Sequence, residues 1–536
     1  MRTDRSGNPV IWTINRRNSI LQLPEQSPNP NLIQNRMKYS RSRTTDGRYR
    51  IPLPASQWRA CMRCTILAVT DEVNGMNERQ TKLVNNTDRH RQLVLDAERW
   101  LWAHPQTGFT EWEAHNYLVE KFQQLGYEPV LAGKIPGFGD IPGFYVDVCT
   151  GKEGPTLAVF GELDALDIAN HPESVNGMTH CCGHHAQAAA LLGLAAALKE
   201  PDALEGLCGT VRLIAVPAEE MIQLGFREEL RKQGVIKYFG GKTEFMHRGI
   251  LDGVDLAIMV HGTAAGEGEP YDLSCEYGNN GCMAKTIRFK GKSSHAGGAP
   301  HLGINAQYAA MLGLQAVNDL RETFQEQDTI RFHPIMMGVN CAVNIIPDEM
   351  KIESYVRGKT LDAIKRENKK VNRAMAGAAL ALGAGVELTD RPGYAPEHHD
   401  KAFMKLVESC CIDLVGEDRV QFDYDEWSTG SSDFGDITCV MPGVQFNAAG
   451  ATGTFHGIDF DPKDPERLCM NSIKAQLFVI DALLQNEGVA AKKIVADYQP
   501  EYPSVKAYLE AIDEMVLDKD AVVYDEKGNP TVDFQN

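Results

Sequence analysis

The sequence of 536 residues lacks a long uninterrupted apolar segment. Its longest apolar runs, Ala188 to Leu198 and Met375 to Leu388, are shorter than the roughly 20 residues that a membrane-spanning helix needs. It also lacks internal repeats and low-complexity tracts. These absences exclude a membrane anchor, a collagen-like chain and a coiled coil. What is present, 43% hydrophobic and 24% charged residues, is typical of a globular protein.

Positive charge is scarce, since 54 Lys and Arg stand against 72 Asp and Glu, for a net charge of −18. Such a surface repels phosphate backbones and anionic lipid, so neither nucleic acid nor a membrane is an expected partner. Residues 1–75 differ, with eleven Arg and one Lys against five acidic residues. This composition predicts a basic, disordered arm. Two alternatives to a disordered arm are that this segment is a transit peptide or that translation truly starts at Met76.

The sequence contains thirteen cysteines, which are scattered along the chain. An odd number without a secretory leader predicts reduced thiols rather than a disulfide framework. We therefore expect a cytoplasmic protein, because disulfides are rare in that compartment.

From Met76 onward, helix-period segments alternate with short β-branched runs, which predicts an α/β fold with a mixed sheet flanked by helices. Runs such as Thr156 to Phe160 and Thr210 to Val216 are apolar throughout, as expected of strands buried on both faces. Near residue 276 the pattern changes to alternating strands around a helix. We predict domain parts at 76–275 and 397–500, an inserted α+β domain at 276–396, and an acidic C-terminal tail at 501–536.

Polar residues follow the predicted strands at the point where each strand ends. They include Asp164, the pair Glu219 and Glu220, and His261 and His456. The run His180–His185, which contains Cys182-Gly183-His184, opens a long apolar helix. Because sites in open α/β sheets form at the carboxyl ends of strands, we expect these side chains to converge on one rim.

Thiolate, imidazole and carboxylate donors together favour zinc or a neighbouring transition metal, whereas magnesium and calcium prefer oxygen donors. Each motif alone has a plainer interpretation: a structural zinc or free thiols for Cys182 and His184, a solvated turn for the glutamate pair, and core or surface histidines for His261 and His456. Only the joint arrangement favours a metal site. Cys61 and Cys64 have metal-pair spacing without a second pair, and we interpret them as incidental.

The ordered motifs of residues 89–484 resemble the dinuclear metallopeptidases that include aminoacylase, auxin-conjugate amidohydrolases and aminobenzoyl-glutamate hydrolase. The amidohydrolase branch is the most similar. The motifs that carry this resemblance are Ala103–Phe109, Gly161–Leu166, His180–His184, Pro217–Glu220, Gly291–Ala296, Asn344–Asp348, Ser431–Gly435 and Phe455–Gly457.

The resemblance implies two divalent metal ions, with zinc favoured over manganese and cobalt. It implies Glu219 as general base and Asp164 as the carboxylate that orients a metal-binding edge. The metal ligands that it implies are Cys182, His184, Glu220, His261 and His456.

For the inserted domain, the resemblance implies a lid that also dimerises. His295 is similar to a histidine that reaches the neighbouring site across a homodimer to stabilise the oxyanion, and Asn344 and Arg357 are similar to groups that hold a substrate carboxylate. Two positions depart from the pattern: His185 stands where Asp or Asn is usual, and Cys181 replaces a common alanine. The first raises the question whether His185 joins the metal site.

The favoured function is metal-dependent hydrolysis of a small-molecule amide: an N-acyl amino acid, an aminobenzoyl-glutamate-like conjugate or a small dipeptide. One alternative is a catalytically silent relative that binds amino-acid conjugates. Another is a structural metal protein whose Cys and His cluster is closed by four ligands.

Overall fold

The computed structural model describes residues 76–264, 270–339 and 341–534. The basic arm predicted for residues 1–75 lies outside the described residues. The α-helices of the described residues are α1 (Glu78–Arg89), α2 (Arg91–Trp102), α3 (Trp112–Gln124), α4 (His184–Leu198), α5 (Leu224–Lys232), α6 (Gly241–His247), α7 (Ala306–Asp319), α8 (Leu361–Leu382), α9 (Lys401–Val415), α10 (Phe434–Thr438), α11 (Pro465–Leu484), α12 (Val489–Asp497) and α13 (Val505–Asp513).

The strands of the described residues are β1 (Val130–Leu131), β2 (Phe144–Cys149), β3 (Thr156–Glu162), β4 (Leu166–Asp167), β5 (Met178–Thr179), β6 (Thr210–Val216), β7 (Leu256–Ala264), β8 (Leu273–Cys275), β9 (Gly278–Asn279), β10 (Gly281–Lys290), β11 (Arg331–Phe332), β12 (Ile335–Gly338), β13 (Glu349–Gly358), β14 (Gly385–Pro392), β15 (Glu397–His398), β16 (Val420–Phe422), β17 (Trp427–Ser428), β18 (Gly443–Ala451), β19 (Leu517–Tyr524) and β20 (Pro530–Val532).

The first sheet has the strand order β1-β2-β6-β3-β7-β18-β8-β16. Its central strands β6, β3, β7 and β18 are parallel, whereas β2 and β8 pair antiparallel with their inner neighbours. Helix α4 packs against β3, and α2 and α11 pack against α4. The predicted α/β class, with a mixed sheet flanked by helices, is confirmed.

Burial explains why the central strand β3 carries no polar alternation. Leu157 and Val159 of β3 belong to the core on one face of the sheet, and Ala158 and Phe160 belong to the core on the other. A strand covered on both faces requires apolar side chains at every position. Helix α4 is likewise buried along its whole length.

The second sheet is antiparallel, with β13, β10, β14, β19 and β20 in order and both β11 and β12 paired to β13. Strand β13 alternates buried and half-buried residues, so one face meets the helices α7 and α8 and the other bears Glu353, Tyr355 and Arg357. Strands β19 and β20 come from the C-terminal segment that the sequence predicted as an acidic tail. That segment contains the helix α13 and also extends this sheet.

Candidate active site

The parallel strands of the first sheet deliver the predicted side chains to one rim. Glu162 ends β3, Glu219 and Glu220 follow β6, and His261 lies near the end of β7. His456 follows β18 in a left-handed backbone conformation with φ of 61°. The convergence expected at the carboxyl ends of the strands is therefore present.

The chain enters α4 through a tight turn that sets the remaining donors. Gly183 has φ of 86°, a conformation that favours glycine, and its neighbours Cys182 and His184 point to the same rim as the strand ends. Donor atoms of Cys182, His184 and His261 all lie within 4.8 Å of one another, and those of Cys182, Glu220 and His456 do so as well. Cys182 is thus common to two three-residue clusters.

The distances fit metal ligation. The Cys182 Sγ atom lies 3.5 Å from His261 Nε2, and Glu220 Oε1 lies 3.0 Å from His456 Nε2. Two ligands at about 2.0–2.3 Å from one ion lie within about 4.6 Å of each other. Burial raises the pKa of the Cys182 thiol well above its ordinary value, so a thiolate there needs a nearby cation. The donor set and its spacing fit two neighbouring transition-metal ions.

Asp164 lies behind the clusters. The Nδ1 atom of His184 lies 3.0 Å from both the Oδ1 atom and the main-chain oxygen of Asp164, and the Glu220 amide donates to Asp164 Oδ2 at 2.7 Å. Hydrogen bonds of this kind fix the ring orientation of a ligating histidine and leave its Nε2 free for a metal. One carboxylate therefore connects the histidine turn with the glutamate pair.

The two adjacent glutamates have opposite electrostatic surroundings. Burial raises the pKa of Glu219 well above its ordinary value, and the charges of Glu162 and Glu220 raise it further. Burial acts in the same direction on Glu220 and is the largest single effect there, but the hydrogen bond and charge of His456, together with His184 and Cys182, outweigh it and lower the pKa of Glu220 to about 2. Divergent environments for neighbouring carboxylates are typical of an acid–base pair with separate roles.

The substrate-binding residues expected from the sequence lie in the second sheet and its loops. Arg357 projects from the half-buried face of β13, 5.3 Å from the centroid of the Tyr355 ring. Burial and the charge of Arg357 lower the pKa of His456, but the hydrogen bond and charge of Glu220 have the stronger effect, so this pKa lies above its ordinary value. His295 and Asn344 belong to adjacent loops, where the Ala296 amide donates to the Asn344 carbonyl at 3.0 Å. His295 belongs to none of the donor clusters found among the described residues.

The two departures from the expected pattern face away from the donor clusters. His185 Nε2 lies 3.2 Å from Glu98 Oε1, and its ring meets the edge of Trp102 with 4.8 Å between centroids. Cys181 is fully buried beside Trp102 and Phe460. His185 is absent from the donor clusters of the described residues.

Sequence reasoning missed a second buried group beside Glu219. Lys242 Nζ lies 2.5 Å from Glu162 Oε1 and also contacts Asp433, and oxygens of Glu162, Glu219 and Asp433 lie within 4.8 Å of one another. Gln187 donates to Glu162 at 2.8 Å. The positions of Glu162 and Asp433 inside recognised motifs were a usable signal, whereas nothing in the sequence around Lys242 indicates its burial.

Comparison with known proteins agrees with this geometry. The model of Peptidase family M20/M25/M40 matches residues 158–467. The Xaa-Arg dipeptidase of Mus musculus is 27% identical over 364 residues, which cover 65% of this chain and 74% of the mouse protein. The indole-3-acetyl-aspartic acid hydrolase of Enterobacter agglomerans is 28% identical over 353 residues, 56% of this chain and 74% of the relative.

The fold also matches a solved structure. A dinuclear metal-binding peptidase of Bacillus subtilis superposes with a TM-score of 0.53 at 22% identity, over 73% of this chain and 98% of that chain. The hydrolytic interpretation of the sequence holds, and that of a catalytically silent binding protein does not. The family match spans more than half of the sequence, and this chain belongs to Peptidase family M20/M25/M40 as a metal-dependent hydrolase of amide or peptide bonds.

Proposed function

We propose that this hydrolase cleaves the amide bond of N-acyl amino acids, aminobenzoyl-glutamate-like conjugates or small dipeptides, with two divalent metal ions in its site. The observation that carries the proposal is the pair of donor clusters that share Cys182. The activities for which the two relatives are named, on a dipeptide and on an amino-acid conjugate, support this substrate class.

In this proposal Cys182, His184 and His261 would hold one ion, and Cys182, Glu220 and His456 would hold the other. A thiolate with imidazoles favours zinc, and manganese and cobalt are the alternatives. When bound, such ions polarise a carbonyl and make hydroxide available at neutral pH.

Glu219 is the proposed general base. It is buried, with an oxygen within 4.8 Å of donor atoms of His184 and Glu220, and burial and the neighbouring carboxylates raise its pKa, which favours a group that must both take and release a proton. It takes a proton from the attacking water and delivers it to the departing nitrogen. Asp164 keeps His184 and the Glu220 amide in place during this exchange.

The second sheet supplies the proposed substrate contacts. The guanidinium of Arg357 can form two parallel hydrogen bonds to a substrate carboxylate, with Asn344 as a further partner, and His295 stabilises the oxyanion. Since His295 is exposed and lies outside the donor clusters of its own chain, we propose that it acts in the site of a second copy.

A homodimer through the inserted domain, residues 276–396, is part of this proposal. Helix α7 exposes Tyr308, Met311 and Leu312, and the edge strand β12 exposes Ile335 and Met336. Exposed apolar side chains beside an unpaired strand edge are suited to an isologous contact. We assign residues 76–275 and 397–500 to the catalytic domain.

We also propose a cytoplasmic location, with which the free thiols of the described cysteines are consistent. Among the described residues, the structure contains no helix with both the length and the apolar character needed to cross a bilayer.

The test is release of free amine from a panel of N-acyl amino acids, aminobenzoyl-glutamate and dipeptides by protein loaded with Zn²⁺, Mn²⁺ or Co²⁺. We expect hydrolysis that a chelator abolishes and that one of the metals restores. Absence of hydrolysis across the panel with every metal would contradict the proposed substrate class.

A further inference from the structure

The segment that carries both glutamates is held by its main-chain carbonyls. All five carbonyls from Ala218 to Ile222 accept hydrogen bonds from side chains that lie elsewhere in the chain. Arg227 donates to the carbonyls of Ala218, Glu220 and Ile222, Tyr394 to that of Glu219, and Tyr355 to that of Met221. The arginine thus holds alternate carbonyls, and a tyrosine holds each one between them.

Arg227 is 1% exposed, and its N–H groups donate to main-chain oxygens. Its Nε lies 3.0 Å from the Ile222 oxygen and its Nη1 3.2 Å from the Ala218 oxygen, and the guanidinium also reaches the Phe239 carbonyl. A planar guanidinium with five N–H groups can serve several carbonyls at fixed angles, which a lysine ammonium cannot. Burying a cation without hydrogen-bond partners costs free energy, and the bonds to these carbonyls offset that cost.

The segment begins with a strained residue. Ala218 has φ of 60°, a left-handed conformation that is uncommon for a residue with a Cβ and persists where its surroundings enforce it. Its amide donates to Glu111 Oε1 at 2.8 Å, while its carbonyl is bound by Arg227. The fully buried Glu111 and Arg227 therefore hold the two sides of this residue.

The guanidinium packs closely against the turn at Gly108 and Phe109. A Cβ on Gly108 would overlap Arg227 Nη2 and meet the Ala218 Cα at 3.0 Å. The Phe109 ring lies 5.4 Å from the Arg227 Cζ atom. The arginine is thus confined between the turn at Gly108 and the segment that it binds.

We propose that Arg227 is a positioning residue for the reaction, which directs Glu219 and Glu220 by fixing the backbone that carries them. This inference rests on the proposed roles of the two glutamates. Adjacent residues project in directions set by the peptides between them, so a rotation of those peptides moves the base and the ligand together. Because Tyr355 belongs to β13, the second sheet holds the same segment through the Met221 carbonyl.

The test uses Arg227→Lys, with Arg248→Lys as the matched control. Arg248 is also buried, at 4% exposure, and donates to the carbonyls of Ala132, Gly139 and Val235 outside the catalytic segment. Both variants keep a positive charge and lose a guanidinium that binds several carbonyls. A general packing defect would therefore affect them alike.

At saturating metal, we expect kcat of Arg227→Lys to fall about 100-fold, because small displacements of catalytic groups have effects of that order, while KM stays within about twofold. Titration with Co²⁺ should show affinity lowered about tenfold, as found for groups that orient metal ligands. In Arg248→Lys both quantities should stay within about twofold of wild type. Wild-type kcat and Co²⁺ affinity in Arg227→Lys, or equal losses in both variants, would overturn the proposal.

If Arg227→Lys does not fold, Tyr355→Phe tests the same idea, since it removes only the hydroxyl that binds the Met221 carbonyl. We expect kcat to fall about fivefold to tenfold with an unchanged unfolding midpoint, and wild-type kcat would overturn the inference. Failure of the proposed function would appear differently, as absence of amide hydrolysis by the wild-type protein. The Co²⁺ titration would still report on Arg227 in that case.

Discussion

The rim of the first sheet and the loops of the second sheet differ in how completely one chain builds them. At the rim, Cys182, His184 and Glu220 are partly or fully buried and already within ligand distance of their neighbours. In the second sheet, His295 and Asn344 are exposed and contact each other's loop. A single protomer thus contains the proposed metal ligands and base, whereas part of its proposed substrate contacts would come from a second protomer.

The largest effect is expected at the residue shared by both clusters. Cys182→Ala removes a donor from each, so metal content should fall from two ions to below one, whereas His456→Ala should remove about one. Since metal contributes several kcal/mol to the transition state, activity of Cys182→Ala should fall about 10⁴-fold. Elemental analysis and amine release measure the two results. Cys181→Ala, beside it but outside the clusters, should retain both ions. Unchanged metal stoichiometry in Cys182→Ala would remove this residue from the ligand set.

Glu219→Gln separates catalysis from metal binding at the same rim. The amide cannot accept the proton of water, so kcat should fall about 10³-fold, within the range known for general bases, while elemental analysis still finds two ions. Glu229→Gln, on the exposed side of α5 where the residue pairs with Lys232 at 3.0 Å, is the control and should be fully active. Full activity in Glu219→Gln would show that another base operates.

His295→Ala addresses the second region. Loss of one oxyanion donor should lower kcat about 100-fold. When Glu219→Gln and His295→Ala protomers are mixed and exchanged, half of the dimers combine the two variants and contain one intact site if the histidine acts across the interface. About a quarter of wild-type activity should then return. If activity does not recover although subunit exchange is demonstrated, His295 acts in the site of its own chain. The rim and the loops of the second sheet would then no longer differ in this respect.

The smallest effect is expected at Arg357. Arg357→Lys keeps the charge but loses the bidentate geometry, so KM for substrates with a free carboxylate should rise about tenfold with little change in kcat. Arg331→Lys is the control, since Arg331 is exposed and lies opposite Arg357 in the neighbouring strand β11. Equal KM values for both variants would remove Arg357 from the list of proposed substrate contacts.

The rim could be predicted from the sequence because strands buried on both faces appear in it as continuous apolar runs. The apolar runs that became β3 and β6 fix where the chain leaves the sheet, so the polar residues after them had to converge. The glycine at position 183 likewise indicates a turn into the apolar helix α4. Strand ends therefore predicted a site that no single motif specified.

Other features depend on tertiary contacts without a local signal. Lys242 is buried only because Glu162 and Asp433 approach it from distant positions, and Arg227 lies in an otherwise amphipathic helix with no sign that its side chain turns inward. The C-terminal strands were missed for a similar reason. Residues 517–524 begin with three consecutive charged residues after Leu517, and only pairing with β14 makes them a strand.

The path of the C-terminal segment bears on how the protein can be dissected. Strand β14 is paired on one side with β10 and on the other with β19, so a fragment cut at residues 276 and 396 would leave a row of amide and carbonyl groups open to self-association. Neither of the two sheets is formed by one contiguous segment of the sequence. Expression trials should therefore keep the C-terminal residues through 532 with any piece that includes β14, or supply them as a separate complementing peptide.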